Sequence, residues 1–298
     1  MMQTQSPIAP DRRVSRTESR VLEALRRRDR ATDRPRDWLD LRRDKTWLTE
    51  EVGTPHLRQL LDRMADKGSL FQLGGGRYAV APRGSVDVSQ ALPFSVALDV
   101  AMGGREYYLA FGSALADHGL IDENVDPIIA ARASAVGGND ALSVQGLEVT
   151  IVRVSSDRRW FGREWVKGEA RSGYWRSDLE RTLLDAVDRP DLCAGNELVA
   201  RAWGRAIHEE RLDTDRLVDY ATRLGGVSAL RAAFYGQQLD QQGLAQRILA
   251  VVPRTRSSKA RLDPTGAFGP GEWPRDRATG LQINIPQSRL RGWLSYGK

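Results

Sequence analysis

Residues 54–80 read TPHLRQLLDRMADKGSLFQLGGGRYAV. Leu57, Leu60, Leu61 and Met64 recur at helical spacing, which gives one apolar face and leaves the other to polar side chains. Thr54 suits the N-cap, Pro55 suits the first helical position, and Gly68 falls where a C′ glycine ends a helix. Downstream, Leu70, Phe71 and Leu73, then Tyr78 and Val80, flank Gly74, Gly75 and Gly76, the pattern of a β-hairpin with a glycine tip.

Working outward from this stretch, residues 15–28 (SRTESRVLEALRRR) read as a helix. Ser15 and Glu18 stand at capping-box spacing, and Val21, Leu22 and Leu25 form its apolar stripe. Residues 36–45 (RDWLDLRRDK) read as a second short helix that packs through Trp38, Leu39 and Leu41. Helix, helix, capped helix and glycine-tipped hairpin is the order of a winged helix-turn-helix, in which the N-terminal residues of the last helix reach base edges in the DNA major groove.

The candidate DNA contacts follow from that order. The apolar stripe turns His56, Arg58, Gln59, Asp62 and Arg63 outward. Arg reads guanine and Gln reads adenine through paired hydrogen bonds. Thr54 and His56 sit at the helix start, Arg77 at the hairpin would approach the backbone or minor groove, and Arg42 and Arg43 on the preceding helix would hold phosphates.

Charge is distributed to match. The chain of 298 residues carries a net +6. Residues 1–85 hold 18 Lys/Arg against 12 Asp/Glu, and residues 252–298 hold 9 against 3, whereas residues 86–251 hold 18 against 24. Basic ends around an acidic middle suit one surface for a polyanion and another for a different partner. A single cysteine, Cys193, excludes an internal disulfide framework. With only three histidines (His56, His118 and His208), a structural zinc site is not expected. The chain shows no secretory leader at residues 1–10 and no run near the roughly 20 apolar residues that span a bilayer, so the expectation is a cytoplasmic protein without a membrane partner.

The remainder reads as mixed α and β. PFSVALDVAM and REYYLAFGSALADHGL look helical, and DPIIAARAS, GLEVTIVRVS and REWVKGEARSGYW look like strands. SDLERTLLDAVDRP opens with Ser177 and Glu180 at capping-box spacing, and helical patterns follow near 195–209, 213–224 and 227–250. TGLQINIP near the C-terminus suits a strand. Trp160, Phe161, Trp165, Tyr174 and Trp175 suit the packing of a curved sheet, with a docking surface as the alternative. The expected architecture is α+β: a tail at 1–14, a winged helix-turn-helix domain at 15–85, and a larger mixed domain at 86–298.

Four stretches in this order resemble the AbiEi family, the antitoxin and autorepressor half of AbiE-type bacterial toxin–antitoxin systems. They are LLDRMADKGSLFQLGGGRYAV, YYLAFGSALADHGL, SDLERTLLDAVDRPDLCAGNEL and the closing LDPTGAFGP with LQINIP. The Arg-, Ala- and Gly-rich composition suits an actinobacterial or mycobacterial member. The resemblance implies a transcriptional repressor that binds the operator of its own operon, with a C-terminal domain that neutralises a nucleotidyltransferase-like toxin protein. The alternative is a stand-alone repressor whose C-terminal domain only dimerises.

An enzyme is the weaker alternative, and no catalytic, cofactor or metal residue is assigned. Gly112-Ser113 followed by Asp122 resembles a nucleotidyltransferase signature, but Asn124 stands where the second Mg²⁺-binding carboxylate belongs. The triple glycine lacks the Gly-Lys-Ser/Thr of a phosphate loop and precedes a strand. Asp185 lies one helical turn after Arg181, the spacing of an ordinary ion pair.

Overall fold

The computed structural model describes residues 15–31, 38–74, 76–80, 97–99, 102, 105–132, 141–144, 147–154, 159–167, 173–255, 257, 259–269 and 271–295. The expected tail at 1–14 and the segment between 81 and 96 lie outside the described residues. The chain divides into two compact units, residues 1–104 with 166–174, and residues 105–165 with 175–298.

In the first unit, helix α1 (Arg16–Ala31) starts on the expected capping box. The Ser15 N–H donates to Glu18 Oε2 at 2.7 Å and the Glu18 N–H donates to Ser15 Oγ at 3.2 Å. Strand β1 (Trp38–Asp40) and helix α2 (Leu41–Val52) follow. Then come helix α3 (Leu57–Asp66) and strands β2 (Leu70–Gly74) and β3 (Arg77–Val80). The three strands form an antiparallel sheet in the order β1-β3-β2.

Two expectations change here. Residues 38–40 are extended, not helical, because they pair with the far strand as Trp38↔Ala79, Leu39↔Tyr78 and Asp40↔Arg77. The Leu41 N–H donates to Gly76 O at 2.9 Å, and the helix then runs through 52, beyond the expected 45. Asp44, Leu48 and Val52, one turn apart, are its buried positions. Helix α3 starts at Leu57 with His56 as a cap that makes no side-chain bond. Thr54 does not cap it, since its Oγ1 accepts the His56 N–H at 3.3 Å in a turn just before the helix. The far end behaves as expected. Gly68 has φ +70°, its N–H donates to Ala65 O and the Ser69 N–H donates to Met64 O, a Schellman closure.

The core of this unit comes from every element. Val21 and Leu25 of α1, Leu39 of β1, Leu48 of α2, Leu57 and Leu61 of α3, and Tyr78 of β3 are all buried. Burial at about 25 cal/mol per Å² of apolar surface makes this cluster the main stabilising contribution.

Residues 107–177 supply a six-stranded mixed sheet in the order β6-β7-β5-β4-β9-β8. Its strands are β4 (Tyr107–Leu109), β5 (Ile128–Arg132), β6 (Ala141–Val144), β7 (Leu147–Val154), β8 (Arg163–Lys167) and β9 (Gly173–Ser177). β5 lies parallel to β7 and antiparallel to β4, while β4 lies parallel to β9. The stretch expected as one helix over REYYLAFGSALADHGL is therefore a strand, a turn at Phe111 (φ +52°) and helix α4 (Phe111–Asp117). Tyr107 and Tyr108 are both buried on an interior strand of the sheet, and that packing outweighs helical periodicity. The helical reading of 93–102 falls mostly outside the described residues, of which 97–99 and Met102 are helical.

Helix α5 (Leu179–Asp188) is capped by Asp178, whose Oδ1 accepts the Arg181 N–H at 2.9 Å, and not by Ser177. Ser177 is the last residue of β9, and its hydroxyl bonds Thr182 Oγ1 instead. Glu180 accordingly turns to α7 (Thr214–Leu224), where it accepts the Asp213 N–H at 2.8 Å. The other helices are α6 (Asn196–His208), α8 (Gly226–Gln238), α9 (Gln242–Val251) and α10 (Gln287–Leu294). The single pattern at 227–250 is two helices broken at Asp240 (φ +61°). The expected strand at TGLQINIP makes only isolated bridges through Gln282.

The segment between α9 and α10 is held by a buried carboxylate. Asp263 Oδ1 accepts from Asn196 Nδ2 at 2.9 Å, the Thr265 N–H at 2.8 Å and Thr265 Oγ1 at 2.6 Å, while Oδ2 accepts the Ala267 N–H at 2.9 Å. Among the described residues, no helix is long and apolar enough to cross a membrane.

Candidate nucleic-acid interface

Helix α3 presents two faces. Leu57, Leu60, Leu61 and Met64 are buried, and His56, Arg58, Gln59 and Arg63 are exposed. The i, i+3, i+4, i+7 repeat leads to this division, because a helix with that stripe buries it and turns the intervening positions to solvent. Two cationic side chains, an amide and an imidazole thus share one solvent-facing surface. Thr54, half-buried, sits in the turn that leads into it.

The sequence reading placed Asp62 outward with these residues. It is half-buried and engaged: the Tyr78 hydroxyl on β3 donates to Asp62 Oδ1 at 2.5 Å. Burial, then the Asp62 carboxylate, pushes the Tyr78 phenol up to about 12, and the positive charge of Arg58 opposes that rise. The link joins the helix to the hairpin. Sequence reasoning missed it because Tyr78 reads as one more apolar position of a strand, and nothing local marks which helix position faces it.

A second ionic link lies at the other end of α3. Lys67 Nζ contacts Glu18 Oε1 at 2.7 Å, and that carboxylate is 3% exposed. Burial raises the Glu18 carboxyl, but the Lys67 ammonium together with the Ser15 N–H and hydroxyl holds it below its ordinary value. Lys67 is thus committed to α1. Arg20 of α1 donates to the Glu51 carbonyl of α2 at 3.2 Å.

Arg42 and Arg43 occupy the first turn of α2, and Arg77 opens β3 next to Gly76, which has φ +82°. The side chains of these three arginines lie outside the described residues. The hairpin carries a register shift between Gln72 and Gly74, and Gly75 is outside the described residues.

The residues weighed for catalysis have other employment. Ser113 accepts the Ile128 N–H at 2.7 Å and donates to Asp126 O at 3.0 Å, which fastens α4 to β5. Asp122 is exposed and pairs with Arg205 at 3.0 Å. Asp185 forms a buried ion pair with Arg181 at 2.8 Å. In the aromatic cluster, Trp160 and Phe161 are buried, with Phe161 against Tyr220 and the Arg181 and Arg223 guanidinium groups near its ring. Trp165 and Trp175 meet edge-to-face at 5.4 Å and are half-buried.

No family model matches the chain, and no curated protein matches it. Among solved structures, the RV2827C protein from Mycobacterium tuberculosis is similar in fold, with a TM-score of 0.52 at 19% identity over 96% of this chain and 98% of that one.

Proposed function

We propose that this chain is a DNA-binding transcriptional regulator that contacts duplex DNA through α3 and the β2–β3 hairpin. The observation that carries this reading is the exposed row His56, Arg58, Gln59 and Arg63 on a helix whose opposite face is buried against α1, α2 and a small sheet. Helix, strand, two helices and a hairpin, with the sheet ordered β1-β3-β2, is the plan of a winged helix, and it supports placing α3 in the major groove with the hairpin beside it. The excess of basic residues in 1–85 supports the same partner.

In this reading Arg58 and Gln59 contact base edges, whereas Arg63, Thr54 and the arginines at 42, 43 and 77 set position on the phosphates. The second unit, with its acidic stretch, serves a protein partner. The resemblance to AbiEi antitoxins supports a nucleotidyltransferase-like toxin in that role, and repression of the operon that encodes the pair. A regulator of this kind acts in the cytoplasm and performs no catalysis of its own.

Titration of full-length protein against a fluorescent duplex at several salt concentrations tests the DNA contact. The expected log–log slope is about −0.9 for each phosphate neutralised. Absence of any anisotropy change at low salt would sink the proposal.

A further inference from the structure

We propose that Ser15 is a phosphorylation site for an arginine-directed serine/threonine kinase, and that its phosphate breaks the link tying the end of α3 to α1. The modification stands on its own observations, and its effect on DNA rests on the DNA-binding reading.

Sequence and exposure mark the acceptor. Residues 12–16 read RRVSR, and Ser15 alone among the serines and threonines of the chain has arginine both three and two positions before it. Kinases of this class carry carboxylates that pair with guanidinium groups upstream of the acceptor. Ser15 is exposed and stands just before the first residue of α1. In the transfer, Ser15 Oγ attacks the γ-phosphorus of ATP and the bond from that phosphorus to the β–γ bridging oxygen breaks. ADP leaves, and the hydroxyl proton passes to the kinase's carboxylate base.

The geometry sets the consequence. Ser15 Oγ accepts the Glu18 N–H at 3.2 Å, and the Ser15 N–H donates to Glu18 Oε2 at 2.7 Å. The other oxygen of that carboxylate, Oε1, accepts from Lys67 Nζ at 2.7 Å. One buried carboxylate thus serves the cap of α1 and, through Lys67, the C-cap of α3. A phosphate on Ser15 brings a charge of about −1.5 to −2 against Glu18. Its oxygens compete for the first-turn N–H groups of α1 and for the Lys67 ammonium, and like-charge repulsion drives the Glu18 side chain out of its bonds. Helix α3 then loses its tie at the end opposite Arg58 and Gln59. The basic segment also gains negative charge, which disfavours a polyanion.

The test uses the full-length protein with a purified arginine-directed serine/threonine kinase, ATP and Mg²⁺. Peptide mapping should place phosphate on Ser15, S15A should take none there, and a variant carrying R12A and R13A should be labelled about tenfold more slowly. Phosphorylation should quicken hydrogen exchange in the last turn of α3. K67M, which lacks the link from the start, should show that faster exchange already and gain no more when phosphorylated. Affinity for a duplex should fall about tenfold on phosphorylation of the wild type. Phosphate found only on other residues, or unchanged exchange in α3 once Ser15 is phosphorylated, would reject the proposal. If neither form binds a duplex while labelling and exchange behave as expected, the DNA-binding reading fails and the phosphate-controlled link stands.

Discussion

At the scale of single residues, the ionic contacts have definite consequences for stability. Glu18 is the clearest case. Its folded carboxyl lies below its usual 4.5 because Lys67 and Ser15 outweigh its burial. A depressed acid favours the folded state above its unfolded value and loses that contribution as pH falls through the folded one. Lys67→Met should therefore destabilise the first unit by about 1–3 kcal/mol near neutral pH, since a buried carboxylate loses its charged partner. The difference from wild type should shrink as the solution is acidified through the carboxylate range. Hydrogen exchange of α1 amides at several pH values measures it, and a pH-independent difference would contradict the assignment. The capping box at Ser15 and Glu18 was legible because both partners lie within one turn. The Asp62–Tyr78 bond was not, because its partners belong to different elements and neither residue type announces the other.

At the scale of elements, legibility followed the range of the deciding interaction. Helix α3 declared itself through its apolar period and Gly68, both local. β1 did not, because three residues carry no usable periodicity and their partner strand lies about forty residues away. The end of β9 set the start of α5, so Asp178 took the cap that Ser177 had been expected to supply. The candidate contacts on α3 were legible for the same reason as the helix, while the Thr54 cap failed because the chain turns once more before Leu57. The segment between α9 and α10 shows what replaces regular structure when there is little of it. Asp263 is fully buried and receives four hydrogen bonds. Asp263→Ala would leave those donors without their acceptor and should cost about 3 kcal/mol or more. Limited trypsin digestion should then cleave after Arg254 and Arg261 much earlier than in wild type. Equal digestion rates would show that the carboxylate is not what holds the segment.

At the scale of the whole molecule, the proposed division of labour predicts separable losses. Full-length protein carrying R58A, Q59A and R63A together should lose duplex binding, while it still rescues growth when a nucleotidyltransferase-like toxin is co-expressed from promoters it does not control. Simultaneous loss of both properties in a protein of unchanged melting temperature would reject separate surfaces. The wild-type protein, given Mg²⁺ and labelled nucleotides, should transfer no label, since Asp122 is exposed and paired with Arg205, and Asn124 supplies no second carboxylate. Label incorporation abolished by Asp122→Ala would overturn that expectation. The small sheet of the first unit has a further consequence, for synthesis of the chain. β1 emerges early but has no hydrogen-bonding neighbour until β3 is made, and β3 is the middle strand of three. At about 5–20 residues per second, Trp38–Asp40 waits several seconds of translation for residues 77–79. A nascent chain halted before residue 77 holds all three helices and still lacks the strand that closes them, so this unit completes its fold only after the ribosome has passed the glycine tip.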